Sequence, residues 1–494
     1  MPWKRRISFA LAIVAAAGGA VAVASSAASA TDEVAAFSNI AAPSVPVPVT
    51  SHDRVYTADQ TSNTVTVIDP STNKVLGTIA LGAPRLSNTL NPQYLDDENV
   101  HGLAYSPNRQ RLGVVSIGSN TVDIIDTTTN KVLSRTDVGR ASHEGSFTHD
   151  GREFWVADRG RDTVTIVDAL HGGVIENLPV GTGPSKVVMS PDGRTAYVNH
   201  IALPEITVVD VASRRITGHI TGLGDVFSSD LAISPDGREL WVPHKRAGKT
   251  SVVDLVHRRV QAVLTTGPDT NHPNFAGDFA YLTVGGLDET LVYRRSPGTP
   301  ELVATVHDTG HAPHGIWPSG DGSRMYVGME KSDRVDVIDT RTQRVVSSFG
   351  VGQEPQALVY VPNAAPGGGA PNLGTQGLNQ QGHDVAATLP DGSDGTTLDL
   401  VTGRRLEVTV RPIAGLDSIG LQARGLAPNT AYTASSVDTH GARTTLVSFR
   451  TDAMGNAPQV LAFAVFTGQS VALSTGATGA VQPAMDDAGG CCCC

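Results

Sequence analysis

The chain has 494 residues, a formal net charge of -11 and no basic tract, which excludes nucleic acid and anionic membrane surfaces as natural partners. All four cysteines are Cys491 to Cys494, behind Gly489 and Gly490, so no disulfide framework can brace an internal domain and the fold must hold by burial. The terminal cysteines could bind a soft metal, pair between molecules, or be an artefact of the sequence end.

In chain order, Lys4, Arg5 and Arg6 followed by the apolar, Ala-rich run Ile7 to Ala24 and the small-residue site Ala28-Ser29-Ala30 predict a signal peptide over residues 1–30. A retained anchor and twin-arginine export are the alternatives for this segment. No later run is apolar enough to span a bilayer, so the expectation is an exported protein, periplasmic or extracellular, with no membrane span after cleavage. Residues 31–52 carry no periodicity and predict an extended lead-in.

Residues 53–362 are periodic. Between Glu153 and Asp192 four short strand-like runs (FWVAD, VTIVD, GVIENLPV, SKVVMS) are separated by polar or Gly-rich turns, which is the size of one propeller blade. A phrase of the form VxVID ends at Asp69, Asp126, Asp168, Asp210, Asp254 and Asp339, with spacings of 57, 42, 42, 44 and 85. The last spacing is twice the period and hides one worn copy, around YLTVGGLDETLVY. The first is one period plus an insertion. The count is therefore seven. Arg54 opens blade one with its second strand, and the missing first strand is found at Gln356 to Val361, so the last strand is expected to close the ring. SPDG at Ser190 to Gly193 and Ser234 to Gly237 supplies the turn chemistry between first and second strands.

With their VYTAD, AYVNH and MYVGM phrases, TVxVID strands and SPDG turns, residues 53 to 362 resemble the YVTN-repeat seven-bladed β-propellers. The resemblance implies the fold. For function it implies only a range, from binding proteins through lactonase-like enzymes to haem- or copper-bearing domains.

Residues 363–382, rich in Gly, Pro and Gln, predict a flexible linker. Six alternating runs in residues 383–476 predict a small β-sandwich, in which GLAPNTAYTASS is similar to a fibronectin type III turn. It shows no catalytic cluster and reads as an accessory or adhesion module. Residues 477–494 form a tail. The fold class is thus all-β, a seven-bladed propeller followed by a small sandwich.

First strands line the channel and begin on the face where second strands end. His101, His143, His272 and His314 fall near the start of first strands, the latter two give or take one residue, and His200 and His244 end second strands. Blades two to seven each bring one histidine to one face. Asp59 and Asp158 share the frame point of His200 and His244, and Glu144 and His311 lie close by. Neutral imidazole is a common ligand of copper and zinc. The six histidines are therefore the candidate metal ligands, with copper first and zinc second. Asp59, Tyr94, Glu144, Asp158 and His311 are candidate substrate or lid residues. The competing reading is a polar channel lining that binds no metal. The insertion Arg85 to Asn99, with Tyr94, Asp96, Asp97 and Glu98, reads as a lid or as a solvated acidic loop.

The plan is similar to the copper-cluster domain of nitrous oxide reductase and the haem propeller of cytochrome nitrite reductase, but no CxxCH motif or cupredoxin domain accompanies it. Two function classes follow. One is an exported metal-dependent oxidoreductase acting on a small molecule. The other is a noncatalytic propeller that binds a small molecule or protein ligand at the channel mouth.

Overall fold

A computed structural model describes residues 48–83, 98–106, 108, 110–399, 401–413 and 415–482. The expected signal peptide, most of the lead-in, Tyr94 with the loop around it, and Cys491 to Cys494 lie outside the described residues. Among the described residues every regular element is a β-strand, and no helix is long and apolar enough to cross a membrane.

Seven four-stranded antiparallel sheets form the blades. The ring closes as the repeat frame requires: Pro355–Val361 pairs with Arg54–Asp59, with Arg54 opposite Val361 and Tyr56 opposite Val359. The worn copy is a full blade, built from Thr270–Ala276, Phe279–Val284, Glu289–Arg294 and Glu301–His307. Burial falls from the channel outward. Val100–Ser106, a first strand, is buried throughout, whereas the fourth strand of that blade, Lys131–Asp137, is mostly exposed. This gradient explains the sequence pattern: strands covered on both faces read as continuous apolar runs, and rim strands alternate. Trp155, Trp241 and Tyr326 pack fully buried between blades. The recurring VxVID aspartates hold turns. Asp69 accepts a hydrogen bond from Ser71 N at 2.9 Å, and Asp126 accepts one from Thr129 N at 2.7 Å.

The C-terminal strands form two sheets over a core that includes Leu406, Val408, Ile419, Tyr432 and Phe449. In the GLAPNTAY turn the Tyr432 hydroxyl accepts the Ala427 N–H at 3.0 Å.

The segment 363–382 differs from the expected free coil. It climbs the outer edge of blade one, where Gly374 and Thr78 exchange backbone hydrogen bonds of 2.8 and 3.0 Å. Gln376 Nε2 donates to the carbonyls of Ser62 and Gly82, and Gln381 Nε2 donates to Val351 O. Gly77 allows the close approach, because a Cβ there would sit 2.7 Å from that of Leu373. The physical reason is the rim strand, Lys74–Ala80, whose outer edge presents unpaired backbone groups. The segment's backbone satisfies those of Thr78, while its amide side chains bond carbonyls outside the rim strand, at Ser62, Gly82 and Val351. It thereby delivers the sandwich to the face where first strands begin.

Three arginines fix it there. Arg411 Nε donates to both Asp333 oxygens at 2.9 and 3.0 Å, Arg405 pairs with Asp288 at 2.7 Å, and Arg424 pairs with Asp269. The Arg411 and Asp333 side chains are 5% and 0% exposed. Removing one partner of a buried pair strands the other charge, at a cost of about 3–5 kcal/mol. Arg411→Ala should therefore lower stability by about that amount in a denaturant titration and make 363–382 protease-sensitive, whereas the parent chain resists cleavage there. Equal cleavage rates in the two proteins would count against this docking.

Candidate channel-mouth site

The first strands enter the channel through a repeated irregularity. In six blades the pairing of first and second strands slips at the first-strand start, as between Val100 and Gly102 or Ser142 and Gly145. Such bulges re-aim side chains. Registering six blades on the pairs Leu103–Val114, Gly145–Val156, Val187–Val198, Pro273–Leu282, Ile316–Val327 and Leu358–Thr57, and blade five by extending its Ala232–Trp241 pairing by one residue, defines two positions. The outer one holds His101, His143, Ser185, Ser229, Asn271, His314 and Gln356. The inner one holds Gly102, Glu144, Lys186, Asp230, His272, Gly315 and Ala357.

Four of the six expected histidines come together. The rings of His101 and His143 lie 4.3 Å apart, those of His101 and His314 6.1 Å, and those of His272 and His314 4.5 Å. All four are buried. Glu144 joins them. Its carboxylate pairs with Lys186 at 2.8 Å and His272 at 3.1 Å, and Asp230 pairs with the same two groups at 2.8 Å each. Two acids and two bases from four consecutive blades thus form a closed square.

The square divides the histidines by charge. Burial pushes the His272 imidazole down, but Asp230 and Glu144 outweigh it and lift it to about 9. Burial and the same carboxylates act likewise on Lys186, which stays charged. Burial drives His101 down to about 3, and burial with the nearby Arg159 holds His143 well below the usual range. Burial and the charged His272 do the same to His314. Three imidazoles are therefore neutral beside one imidazolium. His143 Nδ1 donates to Ser185 O at 3.0 Å and His314 Nδ1 donates to Gln356 O at 2.7 Å, each a carbonyl of the next blade. That fixes the tautomer and leaves Nε2 with its lone pair. His101 Nδ1 is buried without a hydrogen-bond partner.

Three groups of donors are close enough to share an ion: His101, His143 and Glu144; Glu144, Asp230 and His272; and Asp288, His311 and Glu407. In the second, both carboxylates pair with Lys186, and His272, the group's one imidazole, is charged and has no lone pair to offer. In the third, Arg405 pairs with both acids. The first offers two neutral imidazoles and a carboxylate, with His314 alongside.

The remaining expected residues are placed elsewhere. His200 Nε2 shares a hydrogen bond with Thr207 Oγ1 at 2.9 Å and His244 Nε2 with Ser251 Oγ at 2.7 Å, and their Nδ1 atoms face the carbonyls of Thr182 and Phe227. Asp59 accepts from Thr66 Oγ1 at 2.6 Å and Asp158 from Thr165 Oγ1 at 2.5 Å. In each case the partner lies seven residues on, in the third strand. The second-strand end shares the face with the first-strand start but sits one strand farther from the axis, so these four side chains tie strands together inside blades. His311 belongs to the sandwich joint. Its Nδ1 faces Asp288 at 2.8 Å and its Nε2 faces Asp384 at 3.2 Å, which lift it to about 10. Sequence reasoning missed Lys186 and Asp230, although each opens an apolar first-strand run (KVVMS, DLAIS) and so marks the inner position.

A cleft beside His314 separates the mouth from the sandwich. Asn271, Gln356 and Glu330 line it from the propeller and Gln422 from the sandwich. The expected lid, Arg85 to Asn99, lies largely outside the described residues, and the cover that is described here is the sandwich.

Fold and mouth together define a closed seven-bladed propeller with a polar centre. The chain belongs to the seven-bladed β-propeller lactonase family, whose model (Lactonase, 7-bladed beta-propeller) matches residues 15–346. Among solved structures it is similar to periplasmic gluconolactonase PpgL of Pseudomonas aeruginosa, at 17% identity and a TM-score of 0.51, covering 63% of this chain and 99% of that one. It is also similar to a functionally unknown protein from Desulfotomaculum acetoxidans DSM 771, at 11% identity and a TM-score of 0.53, covering 62% and 98%. These likenesses show the fold. No curated protein matches the chain.

The blade-internal role of Asp59 has a pH signature. Burial raises its carboxyl from 3.8 to about 7, against the hydroxyls of Thr57, Thr66 and Thr64, which lower it. A folded-state pKa above the unfolded value stabilises the protein at low pH, and that contribution is lost as pH rises through about 7. At about 1.4 kcal/mol per unit, the loss is roughly 4 kcal/mol. Asp59→Asn should lack this term, so its stability relative to the parent should rise between pH 4 and 8 in paired denaturant titrations. A constant difference would show that Asp59 does not titrate there.

Proposed function

We propose that this protein is an exported, metal-dependent hydrolase of the lactonase class. His101, His143 and Glu144 hold one transition-metal ion, with His314 beside them, and a small molecule binds at the channel mouth. The observation that supports the reading is the pair of neutral, buried imidazoles next to a carboxylate, with His143 oriented by a backbone carbonyl. Two histidines, one carboxylate and an open position are a donor set used by catalytic zinc. This moves zinc ahead of copper, which was the first expectation from histidine alone.

A bound ion supplies Lewis acidity toward an ester carbonyl and makes a bound water more acidic. The chain's own residues set the conditions. The Ser185 carbonyl fixes the ring of His143, and burial excludes water from the donors. The charged Lys186 and His272 offset the negative charge of Glu144 and Asp230, and they present cations near any oxyanion that forms.

Membership of the lactonase family favours hydrolysis over a copper redox reaction. Export rests on the Lys4 to Ala30 segment and agrees with the periplasmic PpgL likeness. The VYTAD, AYVNH and MYVGM phrases support a place in the YVTN-repeat branch of these propellers.

Full-length protein exposed to zinc or copper and then desalted should retain about one equivalent, read by elemental mass spectrometry. His101→Ala and His143→Ala should lose it, along with at least ~100-fold of kcat/KM for δ-valerolactone hydrolysis, since removing a ligand removes the site. His200→Ala and His244→Ala should retain the metal. A parent chain that keeps no stoichiometric metal leaves the noncatalytic binding propeller as the reading.

A further inference from the structure

The sandwich sheet that carries Arg405, Arg411 and Arg424 has two faces. Along Arg405–Ile413, Leu416–Arg424 and Ala457–Ala464, alternate residues (Val408, Val410, Ile419, Leu421, Val460 and Ala462) enter the sandwich core. Their neighbours point the other way, in cross-strand rows: Thr409 beside Gly420 beside Leu461, and Arg411 beside Ser418 beside Phe463. Polar groups belong on such an outer face, yet Ile413, Leu461 and Phe463 stand on it, and Phe463 is 37% exposed. With Thr61 of the propeller they line a groove of about 640 Å³ counting its open side, within the range of small-molecule sites. Gly420 forms the hollow of this groove: a Cβ there would find no heavy atom nearer than 3.9 Å.

The groove adjoins the channel mouth. Lys331, Glu354 and Gln422 line both it and the cleft beside His314. Gly420 stands two residues along its strand from Gln422, a step of about 7 Å. The shared end is polar, and the side formed by Ile413, Leu461 and Phe463 is apolar. Charge at the shared end is matched within the protein, since Lys331 pairs with Glu330 and with Glu354, so an ionic ligand gains little there. Cleft and groove together suit one uncharged molecule with a polar ring at one end and an apolar chain at the other.

We infer that the sandwich sets substrate specificity: the substrate is a lactone bearing an alkyl chain, with its ring at the mouth beside His314 and its chain over Gly420, against Leu461 and Phe463. This rests on the reading of the mouth as a lactone-hydrolysing centre and adds the class of lactone. In the reaction the ring's ester C–O bond breaks, and water gives its hydroxyl to the carbonyl carbon and its proton to the ring oxygen. The product is a hydroxy acid whose chain is untouched. A sugar lactone sets hydroxyls, not methylenes, against these side chains and is the poorer substrate.

The test compares kcat/KM of the full-length, zinc-loaded protein for δ-decalactone, which carries a pentyl chain, and for δ-valerolactone, which carries none. At about fourfold per buried methylene, the parent should prefer δ-decalactone by at least ~30-fold. Gly420→Val, which fills the hollow, and Phe463→Ala, which removes a wall, should each cut that ratio by about fivefold or more, with thermal melts showing both folded. A parent ratio near one, or the same ratio in parent and both variants, would overturn the inference. Calorimetric titration with 3-pentylcyclohexanone, the carbocyclic analogue with no ester to cleave, separates the groove from the chemistry. The ketone should bind the parent and bind Gly420→Val about fivefold more weakly. If no lactone is hydrolysed while that difference holds, the hydrolase reading fails and the alkyl groove stands. Hydrolysis of δ-valerolactone with neither chain preference nor ketone binding overturns the groove and leaves the hydrolase reading intact.

Discussion

The square formed by Glu144, Lys186, Asp230 and His272 governs this molecule. Buried charges are costly unless each is paired, and losing one member strands the others. Here the pairs run between blades three, four, five and six, so the centre is closed by side chains that no single blade could satisfy. The square also sets the charge state of its surroundings. By keeping His272 protonated it adds a cation beside His314, and with burial this holds His314 neutral. The same geometry leaves His101 and His143 as uncharged donors at the edge of Glu144.

Above this centre the structure is layered by strand edges and arginines. Blade one is completed by the last propeller strand, and its rim is then extended by the strap 363–382. The strap ends at Gly382, whose N–H donates to Asp333, the acid that also holds Arg411. Strap and sandwich thus converge on one buried carboxylate. The sandwich thereby becomes the roof of the mouth, and its strand Leu416–Arg424 brings Gln422 into the cleft.

Much of this was legible in the sequence. Blade period, blade count and ring closure follow from the recurring VxVID phrase and from QALVYV, because each blade repeats one packing problem. The convergence of His101, His143, His272 and His314 followed from the same frame. The frame failed for His200, His244, Asp59 and Asp158, because sharing a face does not mean sharing a distance from the axis. Hydroxyls at Thr207, Ser251, Thr66 and Thr165 were the sign that these groups already had partners. The seat of the sandwich was not legible. Arg405, Arg411 and Arg424 look like ordinary exposed charges until Asp288, Asp333 and Asp269 are placed opposite them. Gln376 and Gln381 look like linker composition until the carbonyls of Ser62, Gly82 and Val351 are placed opposite their amides.

The claim on which the account turns is that neighbouring histidines of one channel carry different charges. Heteronuclear NMR of the histidine ring nitrogens, on the metal-free full-length protein across the neutral to mildly acidic range, reads this directly. The account predicts that His272 gives an imidazolium signal near pH 7 while His143 and His314 stay neutral in the Nδ1–H tautomer, and that His101 remains neutral well below the ordinary histidine range. Four rings titrating together near the ordinary value of about 6.5 would contradict it.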